Sequence, residues 1–465
     1  MDAYDAVPYV TFPRLTTHPD RLATMARLFG LDPPPVAECR VLEIGCGNGR
    51  NLIPMAVEMP GGTFTGVDLA PKPVAEANAL IAAAQLTNVR VLRRDILSIG
   101  PRFGKFDYII AHGVYSWVPA AVRDQLLAIC RANLAPNGVA YVSYNALPGC
   151  YVRTAVRDLL RFHLEPYRDP GERVEQARAF LEWIVKADPP MAGYDRFLKA
   201  DLAGALERIP FGLYHDDLGE VNDPVYFADF IQHAARHKLQ YLAEVSLGAM
   251  LDTQELLDEV TDDLIRKEQY LDFLKMRRFR QTLLVHAGAQ VERRIEPRRM
   301  PEFWISSQAI QAAEGEFRSP EGGLAKTADP IAARMFAYLG ERFPRPVPFG
   351  ELAEAVGDAE ALPEMVLACF AAEVVTLHSY AFPYAAVPGA RPVASPVARV
   401  LAATETVLPD LCHHSVEIEN PLARALLQRM DGSRTRSRLA REVRAPAGEV
   451  GKALEALGGC ALCVR

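Results

Sequence analysis

Residues 41–49, Val41-Leu42-Glu43-Ile44-Gly45-Cys46-Gly47-Asn48-Gly49, place a carboxylate two positions before the first of three glycines. An apolar run enters this stretch and a helical pattern leaves it. That reads as a buried parallel strand turning sharply into a helix, with backbone amides of Gly45, Cys46, Gly47 and Gly49 near a ligand. The dinucleotide fingerprint G-x-G-x-x-G is excluded, because Arg50 stands where its third glycine belongs. Glu43 repels pyrophosphate and suits a ligand carrying positive charge. S-adenosylmethionine, with an ammonium and a sulfonium, is such a ligand.

More acids recur downstream. Asp68, followed by Leu69, is placed to accept hydrogen bonds from two ribose hydroxyls, and Asp95 with the amide of Ile96 could bracket an adenine edge. His112, Gly113, Tyr144 and Asn145 add polar groups further on. Each alone reads equally well as a solvated or capping residue. Their regular recurrence is what points to one nucleoside-type cofactor.

The elements that must position them alternate. Strands are expected at 40–45, 63–68, 88–94, 106–111 and 139–144, the last entered by the turn Pro136-Asn137-Gly138, with helices at 73–84 and 119–134 between them. Such alternation predicts a parallel, doubly wound α/β sheet whose ligands sit outside the carboxyl ends of its strands. Ahead of it, residues 1–17 read as an extended arm. Thr17, Pro19 and Asp20 read as a helix start with cap, early proline and first-turn acid.

Length and composition bound the alternatives. The 465 residues exceed one ordinary core, so two or three domains are expected. A net charge of −7 argues against general nucleic-acid binding. No apolar run reaches membrane-spanning length, and Met1-Asp2-Ala3-Tyr4-Asp5 lacks the pattern of a signal peptide. Eight scattered cysteines fit reduced thiols, so a cytoplasmic location is expected. No metal site is expected: Cys460-x-x-Cys463 lacks a second ligand pair, and Cys412-His413-His414 reads as a buried thiol beside surface histidines.

Glu-x-Gly-x-Gly-x-Gly, the strand-end Asp68, Asp95-Ile96 and the Asn-Gly turn together resemble a class I S-adenosylmethionine-dependent methyltransferase, with its Rossmann-like fold. Further stretches are similar to bacterial methyltransferases carrying a methyltransferase regulatory domain, including those that modify lysines of outer-membrane proteins. These are Tyr4-Asp5-x-Val7-Pro8-Tyr9, Thr17-His18-Pro19-Asp20-Arg21-Leu22, Ser143-Tyr144-Asn145-x-Leu147-Pro148-Gly149, Glu220-Val221-Asn222-x-Pro224-Val225-Tyr226-Phe227 and Met276-Arg277-Arg278-Phe279-Arg280. The resemblance spans nearly the whole chain. It implies methyl transfer from S-adenosyl-L-methionine, with S-adenosyl-L-homocysteine as product and a protein lysine as acceptor.

A methyltransferase sheet closes soon after strand five, whereas here a helical stretch follows Gly149. Strands at 239–245 and 279–286, with a helix at 224–237, read as the delayed closing pieces. The expected division is therefore 1–149 with 210–290 for the cofactor-binding domain and 150–209 for a helical insertion. The insertion could cover the substrate or pair two subunits as a homodimer. Two similar capped-helix segments, Asp329-Pro330-Ile331-Ala332 and Asn420-Pro421-Leu422-Ala423, mark α+β winged-helix-like units at 291–390 and 391–465. The arginines at 434, 436, 438, 441 and 444 form a basic stripe, but the acidic total favours a protein contact over DNA.

Methyl transfer is an in-line displacement, so the protein chiefly positions a nucleophile in a dry site. Candidates for this are His112, Tyr115 and Trp117 after strand four and Tyr144 and Asn145 after strand five. Aromatic walls would fit a lysine stem, and Asn145 could accept from its amine. Tyr214, His215 and Asp216 could enter from the insertion, while Tyr9 and His18 could close over the cofactor carboxylate. A small-molecule methyltransferase and a non-catalytic cofactor-binding regulator remain open as alternatives.

Overall fold

Apolar runs too short for helices build the central sheet. In a computed structural model, which describes residues 11–188, 195–251, 257–320, 322–358, 360–382 and 384–464, they form seven strands. These are β1 (Arg40–Ile44), β2 (Thr63–Asp68), β3 (Val89–Arg93), β4 (Phe106–Ala111), β5 (Leu134–Asn145), β6 (Leu239–Glu244) and β7 (Phe279–His286). Their spatial order is β3-β2-β1-β4-β5-β7-β6. All neighbours are parallel except β7, which runs antiparallel to β5 and β6. Strand order reverses between β1 and β4, so a crevice opens above their carboxyl ends, where such sheets bind ligands.

One strand differs from expectation. β5 starts at Leu134, ahead of the Pro136-Asn137-Gly138 turn. Pairing jumps from Phe106↔Leu134 to Tyr108↔Val139, so the turn residues survive as a bulge inside the strand.

The motifs singled out around Gly149, Val225 and Arg278 converge beyond the ends of β5 and β7. The Ala146 amide donates to the Arg278 carbonyl at 2.9 Å, and that of Leu147 to Val225 at 3.0 Å. A Cβ at Gly149 would collide with the carbonyl oxygens of Met276 and Arg277, so close chain approach demands glycine there.

Helices Cys150–His163, Pro170–Ala187 and Asp195–Leu206 leave this junction and share an apolar cluster of their own, centred on Leu160, Leu181 and Leu202. Tyr214 packs into that cluster, and Asp216 faces Arg153, so these two serve the insertion rather than the crevice. Phe162 is 78% exposed, because Leu160 and Leu164 take the inward side of the same helix.

Beyond the sheet, Trp304–Ser306 pairs with Val347–Pro348 and Thr376–His378, backed by helices Pro330–Arg342, Phe349–Val356 and Leu362–Ala371. The second unit contains helices Pro421–Leu427, Arg436–Val443 and Ala447–Gly459. Asp329 and Asn420 cap their helices through Ile331 and Leu422 amides, matching the repeated sequence signature. The basic stripe is partly neutralised in place: Arg434 and Arg438 both reach Glu442 at 2.8 Å. One continuous apolar cluster extends from Leu22 and Leu28 through β1 to Leu377, Leu426 and Leu462. Among the described residues no helix is long and apolar enough to cross a membrane.

The closing strands rest on a fully buried guanidinium. Arg280 of β7 donates to Glu244 at 2.9 Å, to Asp272 at 2.8 and 2.9 Å, and to Glu268 at 3.1 Å. Its carbon also lies 3.9 Å from the centre of the Phe227 ring. Removing that cation strands Glu244 in a dry interior and leaves Glu268 and Asp272 only their longer contacts to Arg277, a loss of about 3–5 kcal/mol. Arg280→Met is therefore expected to lower the urea midpoint sharply. A midpoint within error of the parent would contradict this account of β7.

Candidate active site

Glu43 lies on β1 with its neighbours buried on both sides, and the strand carries its carboxylate to the floor of the crevice. Oε1 accepts from Asn51 Nδ2 at 2.7 Å, while Oε2 is buried with no hydrogen-bond partner among the described residues. Burial pushes the carboxyl up to about 8; Asn51 and the charge of Arg14 oppose this, and Asp68 adds to it. A buried acid with one vacant oxygen fits a ligand cation, and an ammonium supplies both a donor and the missing charge.

The glycine turn works differently from expectation. Gly45 and Cys46 amides both donate to Val67 O, at 2.8 and 3.2 Å, and the Gly49 amide donates to Cys46 O. The Gly47 amide goes to Asp68 Oδ2 at 2.8 Å. These amides do not face a ligand: the β1–β2 ladder uses the first two, the Asp68 carboxylate the third and the turn's own Cys46 carbonyl the fourth. The glycines are needed for backbone shape instead: φ is +71° at Gly45, +54° at Gly47 and +71° at Gly49. Asp68 thus braces the loop, with Oδ1 also accepting from Ala70 N at 2.9 Å. Leu69 is exposed beside it. Asp95 is exposed and caps the turn Ile96–Ser98 through the Leu97 amide, and Ile96 is half-buried next to it.

At the β4 exit, His112 Nδ1 lies 2.9 Å from Tyr141 OH, and the ring meets Phe279 edge-on at 5.9 Å. Gln281 Nε2 donates to that same tyrosine oxygen at 2.9 Å. Burial, with Arg14 adding, holds the His112 imidazole down to about 3, so the ring is neutral near pH 7. It cannot act as a cationic acid near neutral pH. The Gly113 amide is occupied by Ser143 Oγ at 2.8 Å.

Two of the expected aromatic residues point elsewhere. Tyr144 is buried, stacks on Phe230 at 4.1 Å and bonds Thr282 Oγ1 at 3.0 Å, so it belongs to the core behind the sheet. Tyr115 is likewise buried, edge-on to Phe230, with its hydroxyl 2.8 Å from His233 Nδ1. Residues alternate faces along β5, and the face shared with His112 belongs to Tyr141 and Ser143. Asn145 stays at the strand end, its Nδ2 donating to Asn222 Oδ1 at 2.8 Å. Trp117 is half-buried under the Arg157 guanidinium of the insertion.

The arm also differs. Tyr9 lies outside the described residues. His18 is fully buried and cannot close over a ligand; its Nδ1 caps helix Pro19–Leu28 by accepting from the Asp20 amide at 3.1 Å. Thr17, expected as that cap, instead bonds Asn51. Asp20 is no solvated first-turn acid: it accepts from Ser379 and lies 2.8 Å from His378 Nδ1.

A chain of buried groups missed in the sequence runs from the crevice to the C-terminal half. Asn51 Oδ1 accepts from the Arg14 amide at 3.0 Å, which fixes the orientation of the side-chain amide. His413 Nε2, 3.1 Å from that same oxygen, must therefore carry a proton. Its Nδ1 faces Glu58 Oε1 at 3.1 Å, and His18 Nε2 faces Glu58 Oε2 at 3.0 Å. Burial pushes Glu58 up, but His413 and His18 outweigh it and hold the carboxyl at about 2. Burial lowers the His413 pKa from its ordinary value despite the opposing pull of Glu58; geometry argues the other way, because a ring with acceptors at both nitrogens and an ionised Glu58 beside it needs two protons. His413 is thus not a surface histidine; only His414 is partly open. Arg50, at the missing glycine position, clamps Glu405 at 2.5 and 3.1 Å and ties the turn to the same half. His413→Ala is expected to cost about 3–5 kcal/mol by leaving Glu58 half-paired in a dry interior. Denaturant unfolding measures it, and a change below ~1 kcal/mol would refute the charged pair.

Comparison with known proteins agrees with this architecture. Residues 42–140 match a methyltransferase domain, 212–286 a predicted methyltransferase regulatory domain, and 390–451 the PKMT C-terminal winged helix domain. Uncharacterized protein RP789 of Rickettsia prowazekii (strain Madrid E) is 39% identical over 314 residues, 66% of this chain and 57% of that protein. The chain thus spans under two thirds of that relative. Uncharacterized protein RP028 of the same organism is 36% identical over 241 residues, 52% of this chain and 96% of its own length. The structure of PKMT2 from Rickettsia typhi in complex with AdoHcy superposes with a TM-score of 0.85 at 25% identity, covering 98% of this chain and 100% of that one. The chain belongs to the S-adenosylmethionine-dependent methyltransferases that carry a methyltransferase regulatory domain and a PKMT-type C-terminal winged helix.

Proposed function

We propose that this protein transfers methyl groups from S-adenosyl-L-methionine to lysine side chains of a protein substrate, releasing S-adenosyl-L-homocysteine. The observation that carries the cofactor assignment is Glu43 Oε2, buried, unpartnered and set at the β1–β4 switch point. Glu43 would pair with the cofactor ammonium. The exposed Arg14, whose charge reaches Glu43, His112 and Tyr141, would take its carboxylate. Asp68 would take the ribose and Asp95 with Ile96 the adenine edge. When bound, the cofactor supplies an electrophilic methyl on a sulfonium. The chain's own part is to hold the acceptor in line and dry. Asn145 and Phe279, paired across β5 and β7, would flank that space together with Trp117, and Asn145 would accept from an amine. The lysine assignment rests on the resemblance stated above and on the PKMT-type winged helix and whole-chain similarity to PKMT2.

In this reading residues 1–149 with 210–290 bind the cofactor, 150–209 cover the acceptor or pair two copies, and 291–390 and 391–465 present the protein substrate. A cytoplasmic location fits the thiol-only cysteines.

Two measurements test this. Incubation with methyl-labelled cofactor and cell-envelope or cytosolic protein should add methyls to lysines, read by mass spectrometry. Asn145→Ala should keep cofactor affinity and lower turnover by about tenfold or more; label confined to small molecules would move the acceptor assignment. Second, ligand binding favours ionised Glu43, so below about pH 8 binding must release its proton and affinity must fall as pH falls. Glu43→Gln should bind weakly with that acid limb flattened. An unchanged limb in the variant would remove Glu43 from the cofactor site.

A further inference from the structure

We propose that Asp124, His233 and His237 form a site for a zinc-class divalent metal ion that staples helix Ala120–Asn133 to helix Phe227–Arg236. Asp124 Oδ1 lies 3.1 Å from His233 Nε2 and 2.8 Å from His237 Nε2. In a tetrahedral site with metal–ligand bonds of about 2.0–2.1 Å, ligand atoms stand roughly 3.3 Å apart. The two carboxylate–imidazole spacings fall about 0.2 and 0.5 Å short of that, so a small outward shift of Asp124 admits an ion, and all three ligand atoms lie within 4.8 Å of one another. His233 and His237 are four residues apart, one turn along the helix and past its end, so both rings leave the same face.

The surroundings complete the case. A ligating imidazole usually donates its second N–H to a fixed acceptor. His233 Nδ1 lies 2.8 Å from the hydroxyl of Tyr115, which can accept from it once Nε2 is given to a metal. The histidine side chains are 13% and 17% exposed and that of Asp124 is 61% exposed, leaving a fourth position open to water. Two imidazoles and one carboxylate suit zinc, cobalt or nickel, and not magnesium or calcium. Arg236 stands beside His233 and opposes the ion, which two neutral imidazoles and one carboxylate must outweigh.

The other convergent trio, His18, Glu58 and His413, is ruled out by its protons. The Asp20 amide donates to His18 Nδ1, so the neutral ring keeps its proton on Nε2 and has no lone pair to offer at Glu58, which leaves the trio one ligand short.

The test is calorimetric titration of tag-free, chelator-treated full-length protein with zinc sulfate, paired with thermal unfolding. The parent should bind one equivalent at this site with micromolar or tighter affinity, and its Tm should rise with zinc. His237→Ala and Asp124→Ala should lose that equivalent, while Tyr115→Phe should weaken it by about tenfold or more. Their circular dichroism should match the parent. Absence of binding in the parent, or equal binding in His237→Ala and Asp124→Ala through the cysteines, would overturn the assignment.

Discussion

Glu58 is an ionised carboxylate without access to water, and it is satisfied only when two distant parts of the chain arrive together. His18 approaches from the N-terminal arm and His413 from the C-terminal unit. Taking such a charge out of water costs several kcal/mol, and only well-aligned partners offset it. The same His413 orients Asn51, and Asn51 holds the cofactor-facing Glu43. The acid at the crevice floor therefore keeps its geometry through a hydrogen-bonded path that ends in the last quarter of the sequence.

This constraint gives the C-terminal half a structural role at the crevice. The apolar cluster running from Leu22 to Leu462 makes the contact continuous, and the polar path makes it specific. Arg50–Glu405 and Asp20–His378 are two more ties of the same kind, one on the glycine turn and one at the first helix. At the β7–β6 edge of the sheet, Arg280 gathers Glu244, Glu268 and Asp272, so the late-arriving β6 and β7 close the sheet around a buried cation.

The alternation of strands and helices was legible because each unit buries an apolar run and breaks at glycine, proline or a capping residue. The delayed β6 and β7 were legible for the same reason. Which face of β5 meets the crevice was not. That strand is covered on both sides, so Tyr141 and Tyr144 are equally buried and no polar alternation distinguishes them. The glycine amides were misjudged because a glycine signals an unusual φ without saying whether its N–H is free. Asn51 sits two residues past Gly49 and an asparagine there carries no ligand signal of its own; Arg14 is one exposed arginine among many charged residues.

By itself the sequence determined the fold class, the switch-point crevice, the acid at its floor and the recurrence of the C-terminal helices, since local period, turn chemistry and residue type decide these. Only the tertiary structure decided which side chains share that crevice. Tyr144 and Tyr115 turned into the core, His18 became a cap, and His413, seemingly a surface residue, became the charge that steadies Glu58 and Asn51. Such pairings join residues separated by more than three hundred positions, and their energy comes from mutual desolvation, which exists only after the chain has packed.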